Sequence, residues 1–158
     1  MTDLVAVRPF VETDLGWAEA LIDADFGGRR QARLGSVIDA LACPGLVAEL
    51  KGERAGLLTF AEEASSVEIV YLEATVKQRG VGSALIAAVV ERAADPRLWL
   101  VTTNDNLDAL RFYQRRGFRI AAVHPGAVDE ARRTLKPSIP EVGNFGIPIH
   151  DEIVLEIS

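Results

Sequence analysis

Apolar positions fall into short runs separated by glycine, proline and charged clusters, and the runs carry two different periods. Leu4 to Arg8 alternates apolar residues up to Pro9, the pattern of a short strand stopped by proline. Leu15, Ala18, Leu21, Ile22 and Phe26 then share one face at helical spacing, with Asp14 placed to cap the helix and Gly27-Gly28 to end it. A second helix is expected from Arg29 to Leu41, stopping before Cys43-Pro44-Gly45. Leu46 to Leu50 and Ala55 to Ala61 are strand-like and flank the turn cluster Lys51-Gly52-Glu53-Arg54, so they predict a hairpin.

Val67 to Val76 is rich in β-branched and aromatic residues and predicts the strongest strand. A loop with two glycines leads directly into a helical pattern from Ser83 to Ala94, ended by Asp95-Pro96. Leu98 to Thr103 reads as a buried strand, Asn106 to Arg116 as a helix closed by Gly117, and Phe118 to Val123 as another strand. Ala127 to Leu135 predicts a helix, the stretch through Pro137, Pro140, Gly143 and Gly146 a long loop, and Ile153 to Ile157 a final strand. Strands and helices interspersed in this way give a mixed α/β sheet with helices packed on it.

Composition narrows the class. The 158 residues suit one domain, 1–158, and 49% hydrophobic against 25% charged residues is globular, which excludes a disordered or coiled-coil chain. No apolar run reaches the ~20 residues that span a bilayer, and Met1-Thr2-Asp3 does not begin a signal peptide, so the cytoplasm is expected and a membrane is not. One cysteine, Cys43, and two histidines, His124 and His150, offer no internal disulfide and too few ligands for a cysteine/histidine metal cage. A net charge of -6 makes nucleic acid a poor partner.

The informative junction is Val67 to Ala94. The first-turn N–H groups of a helix lack intrahelical partners and carry partial positive charge. Gly80 and Gly82 remove Cβ atoms that would hold a phosphate away from those groups, and Lys77 and Arg79 add positive charge. A P-loop requires Gly-Lys-Ser/Thr, whereas Gly82 is followed by Ser83-Ala84. A dinucleotide fingerprint requires a third small residue where Leu85 stands. Two readings of the glycines remain: a pyrophosphate cradle, and a tight strand-to-helix turn.

A second motif follows the buried strand: Asn106, Ala109, Tyr113, Gly117 and Phe118 fit the pattern N-x-x-A-x-x-x-Y-x-x-x-G-F. With Lys77-Gln78-Arg79-Gly80-Val81-Gly82 upstream, the chain resembles the GNAT superfamily of acyl-CoA-dependent N-acyltransferases, whose pyrophosphate loop reads Q/R-x-x-G-x-G/A. Here Lys77 replaces the usual Gln or Arg, keeping the charge but losing the planar donor fork. The resemblance is strong over Val67 to Val123, topological over Leu4 to Ala61, and does not extend past His124. It implies a mostly antiparallel sheet of six to seven strands with helices on both faces. It also implies acetyl-CoA as cosubstrate, bound by Leu72, Glu73, Ala74, Lys77, Gln78, Arg79, Gly80, Val81, Gly82, Ser83, Asn106 and Tyr113, with no metal. Asn106 also reads as a helix N-cap.

The implied activity is N-acetylation of a primary amine, on a small molecule or a protein, by direct transfer in a ternary complex. A non-catalytic acyl-CoA-binding regulatory module is the alternative, and a homodimer stands open beside the monomer. An alkyl amine with a pKa of ~10.4 arrives protonated and needs a proton acceptor. Glu68 and Glu73 on the central strand are the candidates, Glu68 first because it lies farther from the pyrophosphate loop. Their offset of five places them on opposite faces unless a bulge intervenes.

The resemblance gives Tyr113 the role of supporting the leaving sulfur; packing beside Phe112 is the other reading. A tyrosine near ~10 is a weaker acid than a thiol near ~8.5, so full proton transfer is uphill by roughly 2 kcal/mol and hydrogen bonding to the thiolate is the expected contribution. Arg111, Arg115 and Arg116 suit either an adenosine phosphate or a solvated helix face. Trp17 and Trp99 read as core or half-core residues, and Cys43 as a small buried residue. The polar tail with Arg132, Arg133, Lys136, Glu141, His150, Asp151 and Glu152 either covers the acceptor site or the sheet edge. His124 reads as a substrate contact or a surface histidine.

Overall fold

A computed structural model describes residues 4–24, 28–92 and 97–157, and the positions expected at Phe26, Gly27, Ala94, Asp95 and Pro96 lie outside them. Nine strands and four α-helices are formed among the described residues. The strands are β1 (Val5–Pro9), β2 (Arg30–Arg33), β3 (Ser36–Asp39), β4 (Gly45–Leu50), β5 (Glu53–Glu62), β6 (Ser66–Ala74), β7 (Arg97–Thr103), β8 (Arg119–His124) and β9 (Glu152–Ile157). The helices are α1 (Leu15–Asp23), α2 (Val81–Arg92), α3 (Leu107–Gln114) and α4 (Ala127–Thr134).

Seven strands form one sheet in the order β1-β4-β5-β6-β7-β9-β8, antiparallel at every pairing except β6 with β7. Lys51 and Gly52, with φ of 54° and 78°, make the two-residue turn between β4 and β5, so the strand resumes at Glu53, two residues earlier than the turn cluster suggested. On one face of the sheet α2 buries Val81, Leu85, Ile86 and Val89 against Leu58, Phe60, Ile69, Leu100 and Leu155. On the other, α1 buries Ala18 and Ile22 against Val47, Leu57 and Tyr71. Burying each such aliphatic side chain contributes about 1.5–3 kcal/mol. Gly56 lets α2 lie close on β5, since a Cβ there would stand 2.6 Å from Val81 Cγ1.

Two expectations are corrected. The helix expected from Arg29 to Leu41 is instead a separate two-stranded hairpin, β2 with β3, followed by a 3-10 turn at Ala40–Ala42. Leu34, Val37, Ile38 and Leu41 happen to fit helical spacing. Leu34 and Gly35, however, take φ of 49° and 77°, a two-residue reversal no α-helix contains. Asp14 does not cap α1 with its side chain. It is fully buried, accepting from the Val11 N–H (2.8 Å), from both terminal nitrogens of Arg8 (2.8 and 2.9 Å) and from Arg54 Nε (2.9 Å).

The feature that positions the site is where β6 leaves β7. Thr59 stands opposite Tyr71 and Phe60 opposite Ile69, so Val70 is an unpaired extra residue, a β-bulge. The parallel pairing of β6 with β7 covers only Ser66–Ile69 against Arg97–Leu100. Beyond the bulge the two strands part.

Candidate active site

The parted strands open a cavity of about 1020 Å³ that runs through the sheet. The Thr75 N–H donates to the Ala55 carbonyl at 2.8 Å, and these residues continue the β5–β6 register. By the alternation of an antiparallel ladder, Tyr71 and Glu73 spend their main-chain groups on β5, while those of Leu72 and Ala74 turn toward the cleft. One end of α2 closes the same cleft. The first helical N–H with a partner inside α2 is that of Ala84, donating to the Gly80 carbonyl at 2.9 Å, which leaves the N–H groups of Val81, Gly82 and Ser83 without intrahelical acceptors.

All the residues expected to hold the cofactor line this cleft except Arg79. The two glycines differ in purpose. Gly80 takes φ of 79° with open space where a side chain would be, whereas a Cβ on Gly82 would stand 2.8 Å from Phe112 Cζ. Asn106 is the N-cap of α3, its Oδ1 accepting from the Ala109 N–H at 3.2 Å. Arg111, Arg115 and Arg116 line the cleft as well. Arg116 donates from Nε and Nη2 to Ser83 Oγ (3.0 and 2.8 Å) and stacks 3.6 Å from the Phe112 ring centroid, tying α3 to the start of α2.

Tyr113 is buried, with its ring edge-on to Phe112 and Phe118 at 5.1 and 5.3 Å, and it lines the cleft. Its hydroxyl makes no hydrogen bond among the described residues. Burial pushes the phenol well above the ordinary tyrosine range, and the charge of Glu73 adds to the effect.

The bulge settles the two carboxylates on β6. Val67, Ile69, Leu72 and Ala74 all pack toward α2, so Glu68 and Glu73 share the opposite face in spite of their odd offset. Glu68 is 2% exposed and held on both oxygens by Arg33 of β2, Nη2 to Oε1 at 2.7 Å and Nε to Oε2 at 3.1 Å. Burial pushes its carboxyl up while the Arg33 bonds pull it down. Glu73 accepts from Lys77 Nζ at 2.9 Å.

Several residues that shape the other end of the cleft had no role in the sequence reading. Arg33 was hidden by the mistaken helix, and Glu152 stood unassigned among the polar tail residues. Asp105, buried, accepts from Thr103 Oγ1 and from both the main-chain and side-chain nitrogens of Asn144 (2.9 and 3.0 Å). It thereby pins the 3-10 turn Asn144–Gly146 over the cleft. Lys136 Nζ donates to the Arg30 carbonyl, so the tail and the β2–β3 hairpin close that end together. Cys43 lies outside the cleft; its Sγ donates to the Asp39 carbonyl at 3.4 Å and burial pushes its thiol up, so it is not poised as a nucleophile. Trp99 is buried with Nε1 donating to Ser66 Oγ at 3.2 Å, Trp17 is half-buried on α1 itself, and His124 is exposed on β8. Among the described residues no helix is long and apolar enough to cross a membrane.

Residues 15–118 match the model of the acetyltransferase (GNAT) family. The chain is 46% identical over 106 residues to the uncharacterized protein YdhI of Bacillus subtilis (strain 168), a match spanning 65% of this chain and 66% of that protein, a little under two thirds of its length. Among solved structures, an IAA acetyltransferase from Bacillus cereus ATCC 14579 superposes with a TM-score of 0.73 at 20% identity, covering 98% of this chain and 99% of that one. A GNAT family acetyltransferase from Elizabethkingia anophelis with acetyl-CoA bound gives a TM-score of 0.69 at 19% identity, covering 98% and 97%.

Proposed function

The chain belongs to the acetyltransferase (GNAT) family, and on that premise we propose that it transfers an acetyl group from acetyl-CoA to a primary amine by direct attack in a ternary complex. The observation that carries the reading is the cleft between β6 and β7, with unpaired main-chain groups along one wall and the open N-terminus of α2 at its end. The N–H groups of Val81, Gly82 and Ser83 suit a pyrophosphate, and Lys77 adds charge beside them. The main-chain groups of Leu72 and Ala74 suit the amides of an extended pantetheine arm, and an N–H there is also placed to polarise a thioester carbonyl.

The thioester supplies an activated acetyl group when bound. Tyr113 is the donor for the departing sulfur. Its phenol stays protonated because it is buried beside Glu73, so it donates a hydrogen bond where negative charge develops. Cys43 is outside the cleft, which favours direct attack over a covalent enzyme intermediate.

The test is thiol release from acetyl-CoA against a panel of primary amines, preceded by a calorimetric measurement of CoA binding. Binding followed by turnover with at least one amine supports the reading. Tight CoA binding with no thiol release from any amine would instead favour a non-catalytic CoA-binding module.

A further inference from the structure

Building on the acetyl-transfer reading, we infer that Glu152 binds the acceptor's ammonium group and takes its first proton, and that the acceptor is a primary alkylammonium with an apolar body. Glu152 opens β9, where Ile153, Leu155 and Ile157 pack into the core with α2 and so turn Glu152 to the opposite face, the one that carries Glu68 and Tyr71. It is 3% exposed and lines the cleft. Oε1 accepts the Leu34 N–H at 3.1 Å, and Oε2 accepts no hydrogen bond among the described residues. A carboxylate so far withdrawn from water, with half its acceptor capacity open toward a cavity, calls for a donor from the ligand.

The neighbouring carboxylates are already satisfied. Arg33 closes both oxygens of Glu68, and Asp105 is taken by Asn144 and Thr103. Arg33 and Leu34 are consecutive, so one hairpin tip reaches both glutamates, sealing Glu68 with a cation and giving Glu152 a single neutral donor. Glu73 lies with Lys77 at the loop end, beside Tyr113 and the sulfur it serves. A second cationic group on the acceptor would meet Arg33 and Lys136, which line the same end. Val128, Ala131, Ile139 and Ile149 also line the cleft, and their side chains suit an apolar body.

In the step, the ammonium gives one proton to Glu152 and becomes a free amine. Its nitrogen forms the C–N bond to the acetyl carbon as the C–S bond breaks. The nitrogen's second proton passes to the sulfur, and Glu152 returns its proton to solvent when the amide leaves.

The test measures n-hexylamine binding to the CoA-loaded protein by calorimetry, and its acetylation by thiol release. Glu152→Gln retains an oxygen for the Leu34 N–H, so the CoA-induced rise in Tm is retained. Hexylamine affinity is expected to fall at least about 30-fold and kcat/KM about 100-fold. Glu152→Asp, with the charge kept, recovers part of both losses and serves should the glutamine variant not fold. Wild-type behaviour of Glu152→Gln toward hexylamine, or loss of amine binding in Glu68→Gln instead, overturns the assignment to Glu152. Preference for spermidine over hexylamine overturns the acceptor class. Wild-type protein that binds hexylamine through Glu152 yet releases no thiol from any amine overturns acetyl transfer and leaves only the ammonium site.

Discussion

A Cβ on Gly82 would stand 2.8 Å from Cζ of Phe112, so the second glycine of the strand-to-helix loop is fixed by the packing of α3 on α2. Phe112 cannot easily give way, with Arg116 stacked on its face and Tyr113 against its edge. Gly82→Ala is therefore expected to lower stability by about 1–3 kcal/mol, the usual range for overpacking. Urea unfolding reads the loss, and Phe112→Leu in the same chain restores part of it. Unchanged stability in Gly82→Ala would mean the ring moves freely.

Gly80 offers the cleaner probe of the anion site, because a side chain there meets no atom within 4 Å. Its φ of 79° is one that Asn and Asp tolerate. Acetyl-CoA is expected to raise Tm by mass action, with about 2.7 kcal/mol of added stability at a ligand concentration of 100 Kd. Gly80→Asn should retain most of that rise, whereas Gly80→Asp, of the same shape but negative, should lose it. Equal shifts in the two variants would place the phosphates elsewhere.

Tyr113→Phe removes only the hydroxyl and leaves the ring between Phe112 and Phe118, so folding and CoA affinity should barely change. A fall in kcat of roughly tenfold to a thousandfold is expected, about 1.4–4 kcal/mol of transition-state stabilisation. Because burial and Glu73 hold the phenol above the ordinary tyrosine range, kcat should show no alkaline limb from Tyr113 below pH ~10. A loss confined to the amine KM would show that the hydroxyl serves the acceptor instead.

Asp14 links β1, the turn before α1 and β5 through Arg8 and Arg54. The Arg8 bonds hold its carboxyl well below the usual carboxylate range, the Val11 and Arg54 bonds adding to them, despite burial acting the other way. The folded pKa is depressed, so the unfolded chain binds the proton first. Stability from this site is full above about pH 4–5 and is lost as pH falls from there. Both arginines are about one-third exposed, with side-chain exposure of 32% and 36%, and regain water when released. Asp14→Asn should therefore cost only about 1.5–3 kcal/mol at pH 7, the range for hydrogen bonds to a charged group. The difference from wild type should shrink in acid. Urea denaturation at pH 7 and pH 3 checks both the size and the sign.

Local patterning was enough to read most of the fold. The β-branched run ending in the glycine loop, the two-residue turn at Lys51-Gly52 and the Asn106 cap each depend on residues close in the chain. Their backbone preferences act whatever surrounds them. The paired motifs at Gly80-Val81-Gly82 and Asn106 to Phe118 carried the family for the same reason. The hairpin at Arg30–Asp39 was not legible, because four apolar residues fitted a helical period and nothing local weighed against it except the Leu34-Gly35 reversal. Tertiary structure alone decided which carboxylates stand open to the cleft. Whether Glu68 and Glu73 share a face depended on one unpaired residue, Val70, and a bulge is set by how two strands register. Glu68 is sealed and Glu152 left with an open oxygen because a hairpin tip far away in sequence brings Arg33 to one and a bare N–H to the other. Which acceptor oxygens a fold leaves open depends on which donors arrive in space, and no spacing along the chain records it.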